Sequence, residues 1–191
     1  MEIRRKMKRT SVVIAALAMI AIACAAFAVG VLVTKQVGMN FRIKGTVSMG
    51  VFDTDGSTVM TAIQFGDLYW YDALFYPGRI NSNVEPAPTS GYWVKNLDQT
   101  NMTIRFTALD MPLDVRISVA CWRQDQAPAN DFHDIYGGMD YTTDFILTSP
   151  SLDPTHPLAH ALQFTLLVNV RENTPFGTYA PILKIDGMEV V

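Results

Sequence analysis

The stretch MTIRFTALDMPLDVRISVAC, residues 102–121, decides the fold of this chain. Apolar residues alternate with polar ones over residues 102–108 and again over residues 115–121. Because successive side chains of a β-strand point to opposite faces, this alternation predicts two strands that each bury one face. The turn signal at residues 110–112 lies between them, so we expect the two strands to form a hairpin or to be close neighbours.

The same alternation recurs along the chain. It predicts a first strand over residues 41–51, shorter strands at Val59–Phe65 and Tyr92–Val94, and a strand pair over residues 162–171 and 179–185. Segments 67–75 and 131–144 fit a short helix or an irregular loop, and segments 81–91 and 149–157 are expected as exposed connections. Seven or eight short strands with one apolar face each predict an all-β fold. We expect a two-sheet β-sandwich of the jelly-roll or immunoglobulin-like type.

The N-terminus carries an export signal. Five basic residues between positions 4 and 9 precede an uncharged apolar run over residues 12–33,. Ala26-Phe27-Ala28 fits a signal-peptidase site, so we expect residues 1–28 to be a cleaved signal peptide, preceding an extension at 29–40 and a sandwich domain at 41–191. The run is close to the roughly 20 residues that span a bilayer as a helix, so a retained anchor at 12–33 is the alternative.

Charge and cysteine content limit the function classes. Without residues 1–28 the chain has ten basic and 17 acidic residues, a net charge of −7, and the basic residues are scattered singly. Nucleic acid is therefore not expected as a partner. Cleavage would remove Cys24 and leave Cys121, so no intramolecular disulfide is expected, and the alternating pattern around Cys121 predicts a buried thiol.

No motif predicts catalysis or a cofactor. His156 and His160 are four residues apart, but Pro157 lies between them, and the zinc-protease pattern of two histidines flanking a glutamate is missing,. His133 lies near two aspartates, and we expect all three histidines to be surface residues. The segment 53–57 resembles the start of a calcium loop but lacks the later glutamate, so it is interpreted as a turn. We predict a non-enzymatic protein without a metal.

Aromatic residues are concentrated between Phe65 and Gly78, where six of fourteen residues are aromatic. Some are expected in the core, and the remainder are candidates for a subunit contact, since Tyr and Trp give large contact areas at low entropic cost. The candidates are Tyr69, Trp70, Tyr71, Phe75 and Tyr76. Asn101-Met102-Thr103 is an N-glycosylation acceptor pattern, which matters if Asn101 lies outside the cell.

The order of these elements resembles the TasA/camelysin-like family, which includes archaeal bundling-pilus subunits. The resemblance rests on the apolar leader, the strand starting near Phe41, and four short segments. These are Tyr76-Pro77-Gly78, the aromatic segment before it, Trp93-Val94-Lys95-Asn96-Leu97 and Gly177-Thr178-Tyr179. It implies an exported β-sandwich that polymerises by donor-strand exchange, in which an N-terminal strand of one subunit completes a sheet of the next.

The segment after the predicted cleavage site suits that role. It has strong β-strand character and no obvious partner in its own domain, and its apolar side chains would fill a groove at an exposed sheet edge. The predicted donor residues are Val29, Val31, Leu32, Val33 and Val37.

These observations favour a structural subunit of an extracellular or cell-surface filament or biofilm fibre. Its expected partners are other copies of itself, neighbouring filaments and matrix proteins, with membrane contact only during export or through a retained anchor. A membrane-anchored, pseudopilin-like binding module is the main alternative, and a secreted hydrolase is the third.

Overall fold

The computed structural model describes residues 36–43, as backbone, and residues 48–190. In this part of the chain the secondary structure is almost entirely β-strand, so the predicted all-β class is confirmed. The strands are β1 (Gln36–Ile43), β2 (Met49–Phe52), β3 (Ala62–Asp67), β4 (Ala73–Tyr76), β5 (Ile80–Asn81), β6 (Tyr92–Asn96), β7 (Met102–Leu109), β8 (Val115–Arg123), β9 (His133–Asp134), β10 (Asp140–Thr142), β11 (Ala161–Val170) and β12 (Ile182–Glu189). A short 3-10 helix at Pro157–His160 precedes β11.

The first sheet has five strands in the order β10-β7-β12-β1-β3. β12 pairs antiparallel with β7 along its whole length, from Ile182 opposite Leu109 to Glu189 opposite Met102. β1 lies between β12, to which it is parallel, and β3, to which it is antiparallel. The first strand of the described residues is therefore an interior strand of this sheet.

The second sheet is built around β11. β8 pairs with one edge of β11 over residues 162–170. The other edge is shared, because β6 pairs with residues 161–164 and β4 with residues 166–169. β2 continues the sheet beyond β6, β5 continues it beyond β4, and β9 pairs with β8.

One hydrophobic core joins the two sheets. Every second residue of β7 from Met102 to Ala108 is buried. Phe106 of the first sheet contacts Phe164 of the second, with ring centroids 5.2 Å apart, and Phe65 contacts Tyr76 at 4.7 Å. Burying each such side chain contributes about 1.5–3 kcal/mol, which makes this shared face the main source of stability.

Part of the outer face of the second sheet is also covered. Ala120, Trp122 and Phe75 point away from the core, yet all three are buried. Phe132, from the segment after β8, stacks on Phe75 with ring centroids 5.3 Å apart. This explains why β8 is buried on both faces and does not show a simple alternation.

Three predicted strand relationships are wrong. β7 and β8 do not form a hairpin, because β7 belongs to the first sheet and β8 to the second. The same is true of β11 and β12. The predicted strand over residues 41–51 is divided between β1 and β2, again in different sheets. Alternation identifies the buried face of a strand but not its hydrogen-bonding partner.

The connection between β7 and β8 shows how the chain changes sheets. Asp110 and Asp114 flank it with φ angles of 54° and 63°, in the left-handed region that Asp tolerates better than most residues,. The connection continues from Asp114 directly into β8. A two-residue hairpin turn would have kept both strands in one sheet.

Segments 67–75 and 131–144 contain strand ends, turns and the short strands β9 and β10, and no helix. Segments 81–91 and 149–157 are connections, as predicted, apart from the last residue of β5 and the first residue of the 3-10 helix.

Candidate functional site

β1 places the end of the predicted donor segment inside its own sheet. Val37 is opposite Gly66 of β3, and the register shifts by a bulge between Val37 and Gly38. On its other side β1 is in register with β12, with Asn40 opposite Ile182 and Arg42 opposite Lys184. The prediction that this segment has no partner in its own domain is therefore wrong at Val37. Val29, Val31, Leu32 and Val33 lie outside the described residues.

The two neighbours of β1 are held in place independently of it. β12 keeps its full pairing with β7. β3 pairs in the sheet only with β1, but its Ile63 and Phe65 side chains are buried in the core. The hydroxyl of Tyr76 also donates to the backbone carbonyl of Phe65 at 2.7 Å. Removing β1 would thus leave a slot bordered by two anchored strands, called here the β1 slot.

Four aromatic side chains are exposed together at one end of the second sheet and form what we call the aromatic patch: Tyr69, Trp70, Tyr71 and Phe176. The Trp70 and Phe176 rings stack with centroids 5.3 Å apart and planes 18° apart. The Trp70 indole donates a hydrogen bond to the carbonyl of Thr174 at 3.0 Å, which joins the β3–β4 turn to the β11–β12 loop.

The turn that carries the patch is held by backbone hydrogen bonds. The amide of Tyr69 donates to the Asp72 carboxylate at 2.8 Å, and the amide of Asp72 donates to the Tyr69 carbonyl at 3.1 Å. The amide of Tyr71 donates to the carbonyl of Val170 at 2.8 Å. Because the backbone is already ordered, a partner that contacts these rings would lose little further conformational entropy on binding.

Two of the five predicted contact residues do not belong to this surface. Phe75 and Tyr76 are only 7% and 3% exposed. Tyr76 fills the core beside Phe65, and Phe75 is covered by Phe132. They follow the turn on β4, where both faces of the sheet are covered, so the prediction of a contact role is corrected for them. For Tyr69, Trp70 and Tyr71 it stays a prediction.

Asn101 lies immediately before β7 and is half-buried. Its side-chain oxygen accepts a hydrogen bond from the amide of Ser149 at 2.9 Å. The side-chain amide nitrogen, which is the atom that a glycan would modify, has no hydrogen-bond partner recorded within the described residues. Glycosylation of Asn101 stays a prediction.

The titratable residues that the sequence singled out are not brought together. His133 stacks on Tyr141 with ring centroids 3.9 Å apart, His156 bonds Asp153 at 2.8 Å, and His160 bonds the Thr148 hydroxyl at 3.0 Å. Within residues 48–190 no group of three or more His, Cys, Asp or Glu side chains is placed to hold a metal ion.

The segment 53–57 forms a tight turn. The Asp55 carboxylate accepts hydrogen bonds from the amides of Ser57 and Thr58, both at 2.8 Å, and from the Thr58 hydroxyl at 2.6 Å. These bonds hold the pKa of Asp55 well below its usual range, because they favour the ionised carboxylate,. The Asp55 oxygens are thus used within the turn, as in a typical Asx-turn.

Comparisons with protein-family models, with curated proteins and with solved structures find no match to this chain. Among the described residues no helix is long and apolar enough to span a membrane. The predicted signal peptide at 1–28 and the alternative anchor at 12–33 lie outside those residues.

The sequence analysis missed Phe176 and Thr174, which complete the aromatic patch from the β11–β12 loop. Their loop contains Pro175 and Gly177, which predict a turn and nothing further,. An exposed Phe in such a loop is a signal that an aromatic surface lies nearby, but only the fold shows that this surface is Trp70, more than a hundred residues earlier.

Proposed function

We propose that this protein is a structural subunit of an extracellular filament in which the N-terminal strand of one subunit occupies the β1 slot of the next. One observation carries the proposal: β1, the first strand of the described residues, is an interior strand with hydrogen-bonding partners on both edges.

Exchange of β1 between subunits would preserve its hydrogen bonds. The register with β12 and β3 would form between molecules instead of within one, and exchange of an identical element is a low-cost route to assembly. Each subunit would accept one strand and donate one, so the contact is head-to-tail and continues into a filament unless it closes into a ring. Residues 29–35 would extend the donated strand at its N-terminal end.

We also propose three finer points. The two sheets form a β-sandwich, the aromatic patch is a second contact between subunits or neighbouring filaments, and Asn101 is a glycosylation site. No catalytic residue, cofactor or metal is assigned. The apolar run at 12–33 favours one alternative, a membrane-anchored binding module that keeps β1 in its own slot.

A disulfide between β1 and β3 tests strand exchange. Gly38 and Gln64 are directly opposite each other in the two strands. In the double variant Gly38→Cys, Gln64→Cys, oxidation would hold β1 in its own slot, and we expect filament formation, followed by electron microscopy and light scattering, to stop. Reduction with dithiothreitol should restore it.

The matched control places a disulfide elsewhere in the same sheet. Leu109 of β7 is opposite Ile182 of β12, and neither strand leaves the fold in the proposed exchange. The variant Leu109→Cys, Ile182→Cys should therefore assemble whether oxidised or reduced. Filaments from the oxidised Gly38→Cys, Gln64→Cys protein would show that β1 does not exchange.

N-terminal sequencing separates the filament from the membrane-anchored module, since a start at Val29 fits the filament and an intact Met1 fits the anchor.

A further inference from the structure

An open groove of about 770 Å³ lies on the outer face of the second sheet, beside the aromatic patch. Its floor is a row of cross-strand neighbours, Arg116 of β8, Asn169 of β11 and Ala73 of β4. Asp114 and Arg171–Asn173 line one side, and Tyr71, Asp72 and Asn83 line another. We call this the polar groove.

Most residues that line the polar groove carry a polar or charged side chain. Three asparagines can donate and accept hydrogen bonds, two arginines donate, and three carboxylates accept,. Only the side chains of Ala73 and Val170 are aliphatic. With three acidic and two basic residues, the groove is nearly neutral, so it offers many hydrogen bonds without a strong preference for a charged ligand.

Backbone strain is concentrated at the same place. Within the described residues five non-glycine residues have left-handed φ angles, and three of them line the groove: Tyr71 at 68°, Asp114 at 63° and Asn173 at 69°. Asp and Asn tolerate this region, but for a bulky Tyr it is unfavourable, and glycine would avoid the cost. Strained residues of this kind cluster at ligand sites.

The Tyr71 side chain contributes little to packing and is accessible to a ligand. It is 67% exposed, so the fold gains little from burying it, and the neighbouring Glu172 carboxylate raises the pKa of its hydroxyl. On the floor, the Arg116 guanidinium lies 5.6 Å from the centre of the Tyr136 ring. Attraction to the face of the ring helps to hold the guanidinium in place.

We propose that the polar groove binds a neutral oligosaccharide. The amide, guanidinium and carboxylate groups would bond the hydroxyls of the sugar, since each hydroxyl both donates and accepts. The exposed ring of Tyr71 would cover an apolar face of one sugar residue, as amphipathic aromatic side chains do at binding surfaces. This proposal does not depend on filament assembly.

Other ligand classes fit less well. An anionic polysaccharide or a phosphate would face three carboxylates,. An extended peptide that binds by strand addition needs a free strand edge, but β11 is paired on both edges, and β5 and β9 occupy part of the outer edges of β4 and β8,. Apolar ligands fit less well, because most of the exposed lining is polar and its hydrogen-bonding groups would be left without partners,.

Calorimetric titration of the purified protein with hexasaccharides tests the proposal. The neutral probes are cellohexaose, maltohexaose, mannohexaose and chitohexaose, and the acidic probe is hexagalacturonate. We expect at least one neutral probe to bind, and to bind more tightly than hexagalacturonate. Asn169→Ala, which removes the amide at the centre of the floor, should weaken binding at least tenfold.

Tyr71→Gly separates a binding role from a structural one. Glycine adopts the left-handed conformation freely, so we expect the thermal midpoint to be unchanged or raised while affinity falls at least tenfold. Asp110→Gly is the matched control, because Asp110 is also exposed and left-handed, at 54°, but lies outside the groove. It should leave affinity unchanged. The proposal is overturned if no neutral probe binds, if hexagalacturonate binds more tightly, or if both groove variants keep the original affinity.

Discussion

At the residue scale, ionisation of the Cys121 thiol makes the free energy of unfolding depend on pH. It lies on the inner face of β8, where burial raises the pKa of its thiol from 9.0 to about 12, and a hydrogen bond with Tyr141 opposes part of that shift. Burial likewise raises the pKa of Tyr76 from 10.0 to about 12. Both groups are neutral when folded under ordinary conditions, so they function here as packing residues and not as nucleophiles.

We expect the free energy of unfolding to fall above pH 9. Between pH 9 and 12 the unfolded chain loses the Cys121 proton while the folded chain keeps it, which favours unfolding by up to roughly 1.4 kcal/mol for each pH unit. Tyr76 adds to this loss only above pH 10. Below pH 9 both states keep the thiol proton, and the thiol adds no pH dependence.

Urea unfolding at pH 7 to 10.5 measures this effect. Cys121→Val keeps an apolar side chain of similar size, and its packing cost is read at pH 7. Its stability should decline less than that of the original protein between pH 9 and 10. Equal slopes for the two proteins in that window would assign the alkaline loss to other groups.

At the scale of elements, β11 is the central strand of the second sheet because it pairs with three strands, β8, β6 and β4. The junction between β6 and β4 on its shared edge is narrow, and Gly91 lies there. A Cβ atom on Gly91 would lie 2.7 Å from the carbonyl carbon and 2.9 Å from the nitrogen of Phe164. The Gly91 amide also donates to the side chain of Gln163 at 2.9 Å. The close approach therefore requires glycine.

Gly91→Ala should destabilise the fold by roughly 3 kcal/mol, because the obstructing atoms belong to the backbone of a central strand and cannot rotate away. Chemical denaturation of the variant measures the loss. Gly137→Ala is the control: Gly137 has a φ of 63° and no atom within 4 Å of the added Cβ, so only the left-handed conformation costs free energy, about 1 kcal/mol,. Similar losses for both variants would refute the steric explanation.

At the scale of the whole molecule, an acidic excess is combined with one local cluster of exposed aromatic side chains. The acidic excess of the residues after position 28 keeps copies apart at long range, whereas the aromatic patch offers a local apolar contact,. Trp70 is 42% exposed yet anchored by Thr174 and Phe176, which suits a contact residue that loses little freedom on binding,.

Trp70→Ala should weaken association between subunits by about 2 kcal/mol, or roughly thirtyfold, because a central Trp often dominates an interface. Sedimentation velocity across a concentration series measures this. Leu152→Ala removes a comparably exposed apolar side chain from a loop outside the patch and should leave association unchanged. If the Trp70 variant assembles like the original protein, the aromatic patch is not part of the subunit contact.

Much of the fold was predictable from local pattern. The buried residues of β7 and the inner-facing residues of β8 are the ones that alternation selects, since a half-buried strand must place apolar groups on one side,. The aromatic segment was located correctly, but its division into exposed Tyr69, Trp70 and Tyr71 and buried Phe75 and Tyr76 was not. That division depends on Phe132 and on the core of the opposite sheet, which are distant in sequence.

The polar groove had no signal in the sequence. Its residues come from five separate segments, and each is unremarkable in its own context. Only strand pairing places Arg116 beside Asn169, and only the backbone reveals that Tyr71 is left-handed.

By itself, the amino-acid sequence determined the β class, the buried face of most strands, the acidic excess and the apolar N-terminal run, because each depends on side chains within a few residues of one another. Tertiary structure alone decided which strands pair, that β1 lies inside a sheet, and which side chains meet in the groove and the patch. Hydrogen bonding between strands is satisfied equally well by many partners, so the choice is made by how two apolar faces pack over the whole domain.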